Sequence, residues 1–264
     1  MKEVPFTFSH AAAALVFPRR RLSFSALVVG AMAPDYLYFI LLSHSSRYGH
    51  TLPGIFLFSW PCGVVVLWLF HALFKRPLLS LAPDAIARRV TVDDLSYPFW
   101  PISRFLMVAI SVLLGVFTHV IWDAFTHESG LFVTVVPELK LYFGLHMPMY
   151  AFLQLASSAV GALLLVWAYW RWCKKTPLRD EPLVPQLSMN ARIAIFGVCA
   201  MAALAFALPY GWDAANHYPK GMWPSVFIVK SIIGSITAGF IEVFAFSVAW
   251  HLRKEKVPEL ELGD

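Results

Sequence analysis

Six apolar runs of about 18 to 25 residues dominate this chain, and an α-helix needs about 20 such residues to cross the hydrocarbon core of a bilayer. The runs are Leu22–Leu42, Ile55–Phe74, Ser103–Phe125, Tyr150–Cys173, Ile193–Tyr210 and Val226–Trp250. Between them stand helix breakers: Pro53-Gly54, Pro77, Pro83, Pro98, Pro101, Pro148, Pro177, Pro182, Pro185 and Pro219. A soluble domain of 264 residues has no interior large enough for a composition that is 59% hydrophobic and 14% charged. The pattern therefore predicts an all-α fold, a polytopic membrane helical bundle with about six transmembrane helices. Residues 1–264 read as a single integral membrane domain.

The Phe6–Phe17 stretch, apolar over about 12 residues, is too short to span. It predicts a short N-terminal re-entrant or interfacial helix, and its Ala11–Ala14 run suits close packing between helices. The segments 75–102 and 127–149 each have room for a short interfacial helix. No cleavable signal peptide is expected, because Arg19-Arg20-Arg21 follows the first apolar stretch without a small-residue cleavage site. Cys62, Cys173 and Cys199 form no CxxC pair, lie in or beside apolar runs, and read as small buried hydrophobes.

The charge pattern orients the bundle. With the N-terminus in the cytoplasm, seventeen Lys and Arg residues fall on the inside, and only Arg47, Lys140 and Lys220 fall outside. Positive charge concentrates on the cytoplasmic side of membrane proteins. The expectation is a multi-pass protein of the cell (inner) membrane with both termini cytoplasmic. The net charge of +5 comes from short clusters between apolar runs, so the expected partner is the lipid bilayer and not nucleic acid.

Ionisable residues inside spans are costly and mark candidate sites. Asp35 follows Pro34 about 20 Å up the first run, and a proline there breaks or kinks the helix. His119 and Asp123 share one face of the third run at a spacing of four, about 24 Å up, and His127 continues that face. His44 and His50 lie in the loop next to the Asp35 end. Asp35, His44, His50, His119, Asp123 and His127 thus fall at similar depth near the outer face, and a His–Asp pair four apart can ligate one metal ion. Each also has a structural explanation. Asp35 can cap the helix after Pro34, His119 can bond another helix, and the His44–His50 loop can be solvated.

Other polar residues fall away from this depth. Glu242 is expected near the cytoplasmic side, Lys230 is expected to snorkel, His71 and His251 look interfacial, and His146 has no assigned partner. The run Trp122-Asp123-Ala124-Phe125-Thr126-His127 has an echo in Trp212-Asp213-Ala214-Ala215-Asn216-His217. Asp213 and His217 are therefore secondary candidates, either as ligands or as supports to ligands, although coincidence is the better reading of the echo, since no other match between the halves supports a repeat.

The motifs Pro5-Phe6-Thr7-Phe8-Ser9-His10, Gly30-Ala31-Met32-Ala33-Pro34-Asp35, His50, Thr118-His119 through His127, and Leu153-Gln154-Leu155-Ala156-Ser157-Ser158, in that order, resemble the bacterial membrane-protein family called domain of unknown function 4184. That family in turn looks distantly similar to membrane-bound metal-dependent hydrolases (domain of unknown function 457), whose pattern has an early His, Pro-Asp-x-Asp, His-Arg-Gly-x-x-His and His-x-x-x-Asp. This second likeness implies His10, Asp35, His50, His119 and Asp123 as metal ligands. Leu37 stands where the second Asp of Pro-Asp-x-Asp would be, and His44 is out of register.

Two readings of function follow. In the first, the chain is a metal-dependent hydrolase. A divalent ion, best matched by zinc, would activate water near the outer leaflet, with Asp35 or Asp123 as base and a phosphoester or acyl bond of a lipid or other small molecule as substrate. In the second, the chain is a non-catalytic transporter or scaffold whose His/Asp cluster binds an ion or proton or holds the bundle together.

Overall fold

The computed structural model describes residues 7–18, 21–43, 48–97, 99–143 and 147–253. His44 and His146 lie outside these residues, as do Pro5, Phe6 and the pair Arg19-Arg20. The fold is a helical bundle. A 3-10 helix α1 (Thr7–Val16) precedes a short apolar helix α2 (Phe24–Ile40). Five helices are long and apolar enough to cross a membrane: α3 (Leu52–Leu81), α4 (within Ile102–Val135, its continuous part Ile102–Thr126), α5 (Met149–Lys175), α6 (Met189–Asn216) and α7 (within Lys220–Leu252, its continuous part Trp223–Leu252). Short helical turns at Asp84–Ala87 and Val92–Leu95 fill the α3–α4 connection. The only strands among the described residues are a two-residue antiparallel pair before α5.

The first apolar run becomes the shorter, interrupted helix α2 instead of a sixth long one. Ser23 caps its start by accepting from the Ala26 amide. The α-helix ends at Gly30, and a 3-10 turn at Ala33–Asp35 separates it from Tyr36–Ile40. Pro34 supplies no N–H, and the Asp35 amide turns to Met32 O, so the Ala31 carbonyl loses its partner four residues on. At the far end, the Phe39 carbonyl accepts from Thr237 Oγ1 at 2.8 Å, and the Leu42 carbonyl accepts from Lys230 Nζ at 3.0 Å and from the Tyr210 hydroxyl. Lys230 therefore does not snorkel: it reaches from α7 to satisfy backbone that a helix ending inside the bundle would leave unpaired.

The buried core lies between α2, α3 and α4, built from Ala26, Ala33, Ile55, Leu67, Val108, Val112 and Val116. Lipid removes most of the hydrophobic drive for helices to associate, so close packing of small residues must supply it. A Cβ on Gly30 would sit 2.1 Å from the Val112 carbonyl oxygen, and one on Gly115 would sit 2.4 Å from the Leu27 carbonyl oxygen. The α2 and α4 backbones thus touch directly, which sets the broken part of α2 against the C-terminal half of α4. By contrast, α6 and α7 pack chiefly on each other, and α5 exposes most of its apolar surface.

Candidate metal centre

The Gly30–Gly115 crossing brings His119 under the break in α2. Its Nδ1 lies 2.7 Å from the stranded Ala31 carbonyl. A carbonyl only accepts, so Nδ1 carries the hydrogen, and in the neutral ring Nε2 keeps its lone pair. This Nε2 faces Asp123 Oδ2 at 3.2 Å, Asp35 Oδ1 at 3.6 Å and His50 Nε2 at 3.2 Å. His50 Nε2 in turn faces Asp35 Oδ1 at 3.3 Å and Asp123 Oδ2 at 3.4 Å. His50 reaches this point because Gly49 packs on the Pro34 carbonyl, where a Cβ would meet the oxygen at 2.4 Å.

His10 also joins the cluster. Helix α1 lies against α5, α2 and α4 with Ala11, Ala12 and Ala14 buried, and so turns inward. The His10 ring stacks on His119 with centroids 4.0 Å apart, and its Nε2 lies 3.4 Å from Asp123 Oδ1. His127 Nδ1 stands 3.6 Å from the same oxygen. Thr7, one turn before His10, donates to Asp35 Oδ2 at 2.5 Å. Asp35 and His119 are 2% and 1% exposed.

These donors are nearly all acceptors. A carboxylate donates nothing, and His119 Nε2 has no hydrogen in the neutral ring, so it meets Asp123 Oδ2 and Asp35 Oδ1 lone pair to lone pair at 3.2 and 3.6 Å, while His50 Nε2 has at most one hydrogen to share among three acceptors. Such a buried set is stable only with protons or a cation between its members. The spacing suits a cation, because ligands about 2.0–2.1 Å from a four-coordinate zinc lie about 3.3 Å apart. Two overlapping sets, His10/His119/Asp123 and Asp35/His50/His119, can hold a metal ion. Burial opposes charge on the His50 imidazole, but Asp123 and Asp35 outweigh burial and raise it to about 9.

A cavity of about 10 Å³, room for about one water, opens beside the cluster. Ser9, His10, Asp35, Asp123, His127 and Gln154 are among the residues lining it. The sequence reading assigned no role to Thr7 or Gln154. Both sit in the motif runs, but neither is ionisable, so a search for ligand types passes over them. Gln154 Nε2 lies 3.2 Å from His127 Nε2.

The echo pair does not join the cluster. Asp213 and His217 are exposed at the end of α6, and His217 Nδ1 donates to the Asp213 carbonyl at 2.8 Å, within its own turn. His71 stacks on Tyr97 at 3.7 Å and contacts Lys75 and Ser25, away from the cluster.

Comparison with known proteins places the chain plainly. Residues 4–248 match the family described as a domain of unknown function (DUF4184), and the chain belongs to that family. No curated protein and no solved structure matches it.

Proposed function

We propose that this chain is a membrane-embedded, metal-dependent hydrolase that acts on a phosphoester or acyl bond near the outer leaflet. The observation that carries this reading is the pairing of His50 Nε2 and His119 Nε2 with Asp35 Oδ1 and with Asp123 Oδ2, each carboxylate oxygen within 3.6 Å of both imidazoles, beside a water-sized cavity. These four atoms would hold the ion, and zinc suits the His/Asp set best. A divalent ion there would bring the pKa of water toward neutrality and polarise the bond to be cleaved.

The remaining work belongs to the chain. The Ala31 carbonyl fixes the His119 tautomer, and the Thr7 hydroxyl orients Asp35, as supporting groups do around metal ligands. Asp35 also borders the cavity, where its carboxylate can accept a proton from water. The excess of Lys and Arg in alternate connections supports both termini in the cytoplasm, at an inner membrane, with α2 as a short sixth crossing, and the cluster then faces the outer leaflet. We treat residues 1–264 as one functional domain.

The test is purification in detergent, metal analysis, and assay against chromogenic phosphodiesters, chromogenic acyl esters and phospholipid vesicles. A bound divalent ion and turnover that disappears in Asp35→Asn are expected. Stoichiometric ion without turnover on any of these bonds, together with ion flux in liposomes, would replace the hydrolase by a transporter. A protein that binds no ion would leave the cluster a structural support.

A further inference from the structure

The two overlapping ligand sets share His119, yet His119 has only one nitrogen to give, because its Nδ1–H is held by the Ala31 carbonyl. Both sets cannot be filled through it. Asp123 can serve both, since its two oxygens face different partners. Oδ2 faces His119 and His50, and Oδ1 faces His10 at 3.4 Å and His127 Nδ1 at 3.6 Å. Oδ1 makes no hydrogen bond among the described residues although it is buried. The stacking of His10 on His119 completes the geometry. Two rings only 23° from parallel and 4.0 Å apart present their Nε2 atoms side by side, each to its own oxygen of one carboxylate. Paired catalytic ions in phosphoryl-transfer sites stand about 3.5–4 Å apart, a separation that one carboxylate can bridge through its two oxygens.

We propose that the site holds two divalent cations bridged by Asp123, the first on Asp35, His50 and His119, the second on His10 with His127 beside it. This rests on the metal-dependent reading above and extends it. It gives α1 a purpose: the inward-turned helix delivers the second position's imidazole. It also narrows the substrate. Two divalent ions against the two carboxylates Asp35 and Asp123 leave a net charge of about +2 with neutral imidazoles, which favours an anionic group over a neutral acyl ester. The substrate class is then a phosphoester, with the lipid phosphodiester and the soluble phosphomonoester as its two sources.

The experiment uses the full chain in detergent, stripped of metal and dialysed against Zn²⁺ and, separately, Mn²⁺. Two ions per chain are expected, and the Mn²⁺ form should give the electron paramagnetic resonance signature of a spin-coupled pair. His10→Ala should bind one ion, with the coupling lost and the elution volume and helicity unchanged. One ion per chain in the unaltered protein, or two uncoupled ions, overturns the second position and leaves the single-ion reading intact. No ion at all overturns both. If His10→Ala does not fold, the stoichiometry and coupling of the unaltered protein decide alone. Phosphodiester vesicles and soluble phosphomonoesters then separate the two substrate sources, and turnover of a neutral acyl ester in preference to both would refute the anionic class.

Discussion

The chain carries one short motif twice and gives it two fates. Trp122-Asp123 with His127 ends α4, and Trp212-Asp213 with His217 ends α6. Asp123 is enclosed by His10, His50 and His119, whereas Asp213 faces outward and its histidine folds back on its own turn. The difference lies in the neighbours. Helix α4 is crossed at backbone contact by α2 and covered by α1, so 39% of its apolar window is buried, while α6 leans mainly on α7 with 11% of its window buried. A ligand-type sequence becomes a candidate site only where other elements supply the rest of the coordination shell.

The sharpest way to break this comparison is to remove each aspartate in turn. Asp123→Ala should weaken divalent-ion binding by more than about 100-fold, and Asp213→Ala should change it by no more than about twofold. Isothermal titration of the stripped protein measures both. Equal losses would make the two motifs equivalent and dissolve the site.

The packing beneath them comes next. Gly115→Ala forces a methyl into the Leu27 carbonyl and should cost about 1–3 kcal/mol. Gly197→Ala in α6 meets nothing within 4 Å and should be neutral or stabilise by up to about 1 kcal/mol. Thermal unfolding in one detergent compares them.

A smaller effect separates the motifs by pH. Imidazole must be neutral to ligate, so protons compete with the cation, and lowering pH should weaken binding about tenfold per unit for each proton displaced. In Asp213→Ala this slope should be unchanged. The smallest expected loss is at Thr7. Thr7→Val removes the hydroxyl on Asp35 Oδ2 and should lower affinity about tenfold while leaving secondary structure intact. A loss as large as that of Asp123→Ala would make Thr7 a ligand in its own right.

Much of the molecule was legible in the order of residues. Hydrophobic run length governs membrane helices because lipid offers no partners to backbone polar groups. Five of the runs are accordingly long helices, and the first is broken where Pro34 stands. Asp35, His119 and Asp123 stand out because a charged group inside an apolar run needs a reason to be there. Lys230 departs from its expected role for a related reason. Its position suggested snorkelling to the surface, but its target is the Leu42 carbonyl, and α2 creates that need from 188 residues away in sequence.

By itself, then, the sequence determined that the chain is a membrane helical bundle and which residue types are too polar to lie against lipid. Those properties follow from the local cost of exposing or burying each side chain and each peptide group. Only the tertiary structure decided which of them meet. The approach of α1, the break in α2, the Gly30–Gly115 contact and the position of the His50 turn are distances between segments far apart in the chain. No periodicity within a single segment specifies such distances, and they separate Asp123, enclosed by three imidazoles, from Asp213, left at the surface with the same neighbours in sequence.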